Sequence, residues 1–134
     1  MAGNIAKKLS TPVALSYLVF MFIMTHLPKQ NVPRTLASAN DKLLHALAFL
    51  VLGFVLSFAT QIRARHYGWY AYAIPTFIFG FLYAWFDELT QPWVGRYFDL
   101  QDLAFDGLGL AMGMLLFEGV RRLLSKVLRI EELQ

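Results

Sequence analysis

The chain has 134 residues, 57% of them hydrophobic and 16% charged, and its mean hydropathy of +0.49 is too high for a soluble domain of this size. A large soluble catalytic domain is excluded, whereas four membrane spans of roughly 20 residues would use about 80 positions and leave enough for termini and three connections. With no cysteine there is no disulfide framework, thiolate metal site or cysteine nucleophile, and the net charge of +3 comes without the basic, aromatic-interleaved stripe of a nucleic-acid binder.

The first apolar stretch runs over Leu9–Leu27, after Lys7 and Lys8. Basic residues, an apolar run and the small-residue triplet Ala37-Ser38-Ala39 have the outline of a signal peptide, but the run is too long. Pro28, Lys29, Pro33 and Arg34 also separate it from the triplet, so it reads as a retained span. The two prolines keep the following connection extended, because proline removes a donor and restricts the residue before it.

The second span, Leu43–Ile62, opens on Asp41-Lys42-Leu43-Leu44-His45. Asp41 and His45, at i and i+4, share a helix face, so the carboxylate can fix the tautomer of the imidazole. As a helix-start carboxylate Asp41 also reads as a cap. His45 is open to three readings: general base, metal ligand, or a satisfied hydrogen-bonding residue. His26, at the end of the first helix, approaches the same place. A basic turn, Arg63-Ala64-Arg65-His66-Tyr67, leads to the third span, Gly68–Phe86, where Pro75 predicts a kink.

The third helix ends on Asp87-Glu88-Leu89-Thr90-Gln91, with Asp87 and Gln91 stacked one turn apart, before Pro92 stops it and Gly95 loosens the chain. Two adjacent carboxylates at a helix C-terminus oppose the dipole and repel each other. Something must compensate them, most simply Lys42, Arg96 or a bound proton. Glu88 is therefore the leading functional candidate, with a structural ion pair as the alternative.

The fourth span, Leu103–Val120, follows Arg96 and begins with Asp99 as N-cap and Asp102 three residues on as a capping-box-like partner. Asp106 lies about 6 Å deeper than Asp102 at 1.5 Å per residue, inside the boundary region. Gly109-x-x-x-Gly113 predicts close approach of a neighbouring helix.

Orientation follows from the basic residues. Lys7, Lys8, Arg63, Arg65, Arg121, Arg122, Lys126 and Arg129 fall on one side, and only Lys29, Arg34, Lys42 and Arg96 on the other. The richer side is expected to be cytoplasmic, with both termini there. Trp69, Tyr70 and Tyr72 would mark the inner interface, and Tyr83, Trp85, Trp93 and Tyr97 the outer one. The expected architecture is thus all-α, a single membrane domain of four transmembrane helices.

The outer-face blocks Asp41-Lys42-x-x-His45, Asp87-Glu88-x-x-Gln91 and Arg96-x-x-Asp99-x-x-Asp102-x-x-x-Asp106-x-x-Gly109-x-x-x-Gly113 together resemble the signature of the VanZ-like family of small bacterial membrane proteins. Two positions depart from the family's habit: Asp106, where Asn is frequent, and Phe49, where an aromatic alcohol is frequent. The family takes its name from a protein that raises tolerance to the glycopeptide antibiotic teicoplanin. The resemblance implies a cell-envelope protein of the bacterial inner membrane and a link to antibiotic resistance, and it names no cofactor.

Three functions remain open at this point. In the first, Arg96 and Lys42 hold an anionic group of a lipid-linked or headgroup-bearing substrate, with Asp102 and Asp106 beside them. Glu88 and His45 then move protons with Asp87 and Asp41, and Gln91 orients; membrane lipids and a lipid-linked envelope precursor are the partners. In the second, the polar cluster is an ion-pair network in a non-enzymatic scaffold. The third, solute transport, is poorly served by four spans without a repeat.

Overall fold

The computed structural model describes residues 2–27, 40–64 and 67–131, and among these residues it contains helices and no strand. Helix α1 is Ala2–Thr25, α2 is Asp41–Ala64, α3 is Tyr70–Thr90 and α4 is Leu100–Glu131, with a 3-10 turn, Gln91–Val94, between the last two. Each helix corresponds to a predicted span, and α1 and α4 extend beyond the apolar stretches at their basic ends. The Pro28–Pro33 connection, Lys29, Arg34, Ala37-Ser38-Ala39, Arg65 and His66 lie outside the described residues, as does the side chain of Arg129.

Three segments are long and apolar enough to cross a membrane: Lys7–Thr25, Asp41–Ala64 and Leu100–Leu128. Helix α3 is not a fourth by composition, because Tyr, Trp, Thr and Pro dilute its Phe, Ile and Leu and its last turns carry Asp87 and Glu88. Its 21 residues nevertheless make a rod of about 31 Å, comparable to the hydrocarbon thickness. The helix continues through Pro75.

The centre of the bundle is the seam between α2 and α4, its most extensive interface. Glycine makes the close approach possible: a β-carbon on Gly109 would stand 2.1 Å from the Ala46 carbonyl oxygen, and one on Gly113 1.9 Å from that of Leu50. The same holds in reverse for Gly53, whose β-carbon would meet the Leu110 carbonyl oxygen at 2.3 Å. The small-residue face predicted for α4 is real, and α2 supplies a matching glycine. Phe49, Leu52, Leu56 and Ala59 of α2 then meet Ala14 and Met21 of α1, Ala84 of α3 and Leu110 of α4 in the core.

Two tyrosines expected at the interfaces pack against neighbouring helices instead, Tyr72 buried and Tyr83 half-buried. Tyr72 is buried against Phe117 and donates to Glu118. Tyr83 donates to the Leu18 carbonyl at 2.9 Å, and Tyr17 to the Ala48 carbonyl at the same distance, so hydroxyls bind α1 to α2 and α3. An amphipathic ring can serve either purpose, and packing decides. Trp69, Tyr70, Trp85, Trp93 and Tyr97 do lie on the surface.

Gly113→Ala should separate α2 from α4 and destabilise the protein by about 1–3 kcal/mol, as overpacking does. Gly119→Ala, where a β-carbon meets nothing within 4 Å, should be neutral or stabilising. Melting of the two variants in detergent checks the contrast.

Candidate functional site

The antiparallel packing brings the end of α1, the start of α2, the end of α3 and the start of α4 to one end of the bundle. Asp87, Glu88, Gln91 and Asp106 there are at most 2% exposed, and His45 and Asp102 are also buried. Each buried polar atom needs a partner, and most find one on another helix.

His45 lies at the middle. Its Nδ1 is 2.9 Å from Asp106 Oδ1 and 3.9 Å from Glu88 Oε1, and its Nε2 is 3.9 Å from Asp102 Oδ2. Asp106, from α4, therefore holds the imidazole, rather than the expected Asp41 one turn earlier on α2. Sharing a helix face brings Asp41 near, but the glycine seam brings Asp106 nearer. Asp41 turns outward and pairs with Arg96 at 3.4 Å.

Glu88 accepts from Gln91 Nε2 at 2.8 Å on one oxygen and from the Asp99 backbone N–H at 3.1 Å on the other. Asp87 accepts from the Thr25 hydroxyl at 2.7 Å and from Gln91 Nε2 at 3.4 Å, with His26 Nδ1 3.7 Å away. His26 also reaches the Thr90 hydroxyl at 2.9 Å through Nε2. The compensation expected from Lys42 and Arg96 thus comes from amides, a hydroxyl and imidazoles. Lys42 Nζ instead lies 3.3 Å from both Asp99 and Asp102.

The start of α4 is capped as its sequence predicts, since the Gln101 N–H donates to Asp99 Oδ1 at 2.7 Å. The capping box is not completed by Asp102, which faces Lys42; Glu88 of α3 takes the Asp99 N–H in its place. Asp41 is not the cap of α2, because Asn40 precedes the helix and its side-chain oxygen faces the Leu43 N–H at 3.4 Å. The Gln101 N–H and the nearby Lys42 ammonium hold the Asp99 carboxyl below the ordinary carboxylate range.

All the residues singled out from the sequence meet at this end: Asp41, Lys42, His45, Asp87, Glu88, Gln91, Arg96, Asp102 and Asp106. Thr25 and Asn40 were missed. A threonine in the last turn of a helix, beside His26 and at the depth of Asp87, was the available signal for the first, and an asparagine directly before a helix start for the second. Two sets of side chains, His45–Glu88–Asp106 and Asp41–His45–Asp102, place one ligand-capable atom from each member within 4.8 Å of the others.

The model of the VanZ/LLP1 family matches residues 6–123, so the chain belongs to that family. No curated protein and no solved structure matches it.

Thr25→Val should leave Asp87 Oδ1 without its short donor and cost about 1–3 kcal/mol, while Thr25→Ser restores most of the loss, read as melting temperature. The depressed Asp99 carboxyl contributes stability above the ordinary carboxylate range, and that contribution is lost as pH falls through its lower folded value. Asp99→Ser keeps a cap oxygen without the charge. The melting difference between wild type and this variant should therefore shrink on acidification.

Proposed function

We propose that this VanZ/LLP1-family membrane protein resides in the bacterial cytoplasmic membrane with both termini inside, and that its polar end faces outward to bind the anionic headgroup of a lipid-linked envelope substrate. The observation that carries the reading is the convergence of Glu88, Asp102 and Asp106 around His45, with Asp87 beside His26, at the end of a membrane bundle and under a rim of Lys42 and Arg96. The lysine and arginine count along the chain supports the orientation, in which the polar end would meet the headgroup phosphates.

Arg96 and Lys42 are the anion-holding residues. Arg96 has a weak present partner, an Asp41 carboxylate that is 59% exposed, while Lys42 divides itself between the exposed Asp99 and the buried Asp102. A phosphate can replace Asp41 on Arg96, and Asp99 on Lys42, at little cost, because exposed ion pairs contribute about 0–1 kcal/mol, and a guanidinium binds phosphate in a two-point fork. Lys42 keeps Asp102. Behind the rim, Gln91 fixes Glu88, Asp102 and Asp106 orient His45, and Glu88 and His45 are the pair that moves protons. Asp87 and Asp41 complete the acidic surround. A share in glycopeptide (teicoplanin) tolerance belongs to the same reading.

The charge clasp at this end favours a second reading. Lys42 joins α2 to the start of α4, Arg96 joins that segment back to α2, and Glu88 joins α3 to the Asp99 amide. A scaffold for envelope enzymes would need no more than this. Reversing the pair as Arg96→Asp with Asp41→Arg should restore stability lost in either single variant if the clasp is the whole role.

Mass spectrometry of membrane lipids and lipid-linked wall precursors decides between them. Cells lacking the protein are compared with cells expressing wild type, Glu88→Gln or Arg96→Ala at matched membrane levels. A species that changes with wild type and with neither variant is expected. Profiles that do not distinguish the strains would reject the headgroup reading in favour of the scaffold. Teicoplanin susceptibility of the same strains tests the link to tolerance.

A further inference from the structure

The buried charges at the polar end are out of balance. Asp87, Glu88, Asp102 and Asp106 are all buried. Lys42 serves Asp102, His26 approaches Asp87, and His45 is left to be shared by Glu88, Asp102 and Asp106. Among the described residues, no lysine or arginine pairs with Glu88 or Asp106. Buried carboxylates without cations are costly, and coordination of a metal is one of the few arrangements that removes the cost.

A second observation points to the same place. Asp106 is fully buried, and its Oδ2 has no hydrogen-bond partner, although its Oδ1 is 2.9 Å from His45 Nδ1. A carboxylate oxygen shut away from water at the centre of an acid–imidazole cluster is an acceptor with nothing to accept.

We propose that His45 Nδ1, Glu88 Oε1 and the Asp106 carboxylate hold a divalent first-row transition-metal ion, zinc or manganese. The three ligand atoms come within 4.8 Å of one another, with Nδ1 2.9 Å from Asp106 and 3.9 Å from Glu88. Ion–ligand bonds of about 2.0–2.2 Å put neighbouring ligand atoms roughly 3–4 Å apart, so the side chains need little adjustment. One imidazole with two carboxylates suits borderline and oxygen-preferring divalent cations over copper(I) or an iron–sulfur cluster, which favour thiolate.

The surroundings fit the ligands. Binding at Nδ1 requires the neutral ring with its single proton on Nε2, the nitrogen 3.9 Å from Asp102 Oδ2. A shift of a few tenths of an ångström would let Asp102 accept from that N–H, as carboxylates beside metal-bound histidines do, and Lys42 holds Asp102 in turn. Gln91 and the Asp99 N–H fix the Glu88 carboxylate. The alternative set of Asp41, His45 and Asp102 is the weaker one, because Asp41 is exposed and engaged with Arg96. Three protein ligands leave coordination positions for water or a phosphate oxygen. The site goes beyond the headgroup reading and does not depend on it; with the ion bound, His45 and Glu88 are its ligands and no longer the proton-moving pair.

The test uses the full chain, purified in detergent with any affinity tag removed and stripped with chelator. It is dialysed against Zn²⁺ and, separately, Mn²⁺, and bound metal is measured by plasma mass spectrometry alongside thermal melts. About one ion per chain and a raised melting temperature are expected with at least one cation. Asp106→Asn and Glu88→Gln keep the side-chain shapes while removing a ligand charge, and should bind about tenfold or more weakly. Glu118→Gln, at the opposite end of the bundle, should bind as wild type. X-ray absorption at the metal edge should show a single imidazole among oxygen ligands, a readout that needs no variant. Uptake well below one ion by the wild type, uptake by folded Asp106→Asn equal to wild type, or absorption without imidazole would each overturn the site. Metal uptake with unchanged lipid profiles would reject the headgroup reading and leave the site standing; a lipid change without metal uptake would do the reverse.

Discussion

Four carboxylates buried at one end of an apolar bundle form the constraint around which the rest is arranged. Each would be cheap in water and is expensive here, so hydrogen bonding at this end is organised around them. Thr25 and His26 bring the end of α1 to Asp87, and Gln91 turns its amide toward both Asp87 and Glu88. The 3-10 turn, closed by Gly95 in the left-handed region at φ 76°, returns the chain so that the Asp99 N–H meets Glu88. A helix cap, a turn and an interhelical contact are therefore one network, and removing a member leaves a buried acid short of a donor.

That network depends on a packing feature some distance away. Gly109 and Gly113 let α4 lie against the carbonyls of Ala46 and Leu50, and Gly53 lets α2 lie against that of Leu110. The glycines fix both separation and register along the seam, which brings Asp106 to His45 although 61 residues separate them in sequence. Leu110 makes the link tighter. It is fully buried, its backbone meets Gly53, and its side chain occupies the space that a β-carbon on Gly80 of α3 would take. Small residues here serve chemistry by serving distance.

This explains which parts were legible in the sequence. Helix existence, the Asp99 cap, the α4 glycine face and the gathering of polar residues at one end follow from local patterns. Periodicity, cap chemistry and alternating direction of travel are sufficient for them. Partner choice does not follow. The nearest carboxylate to His45 in sequence is Asp41, yet Asp106 holds the ring, because interhelical register overrides i,i+4 spacing. Lys42 and Arg96 were natural partners for Glu88 by charge alone, but backbone and amide donors stand closer. Tyr72 and Tyr83 read as interface markers because a tyrosine ring suits either a belt or a buried bond to a neighbouring helix. Gly53, a lone glycine in α2, has no pattern to announce its role.

The two ends of the bundle solve the problem of charge in opposite ways. At the basic end Glu118 is bonded by Tyr72, Arg121 and Arg122, and Arg63 reaches Ser10 and Thr11 of α1. Cations outnumber the acid there, arginine provides several donors, and the groups lie where water can complete what the protein leaves undone. At the polar end the proportions are reversed: acids outnumber cations, the basic side chains are at the rim with Asp41 and Asp99, and the other four acids are sealed beneath it. Stability alone would favour the first arrangement at both ends, since a buried acid short of a cation carries a desolvation cost that a cation-rich, water-accessible end avoids. The fold instead gathers three of its buried carboxylates around His45 and sets the fourth, Asp87, beside His26, so this end concentrates acidic groups that are offset by two imidazoles, an amide, a hydroxyl and the Lys42 ammonium.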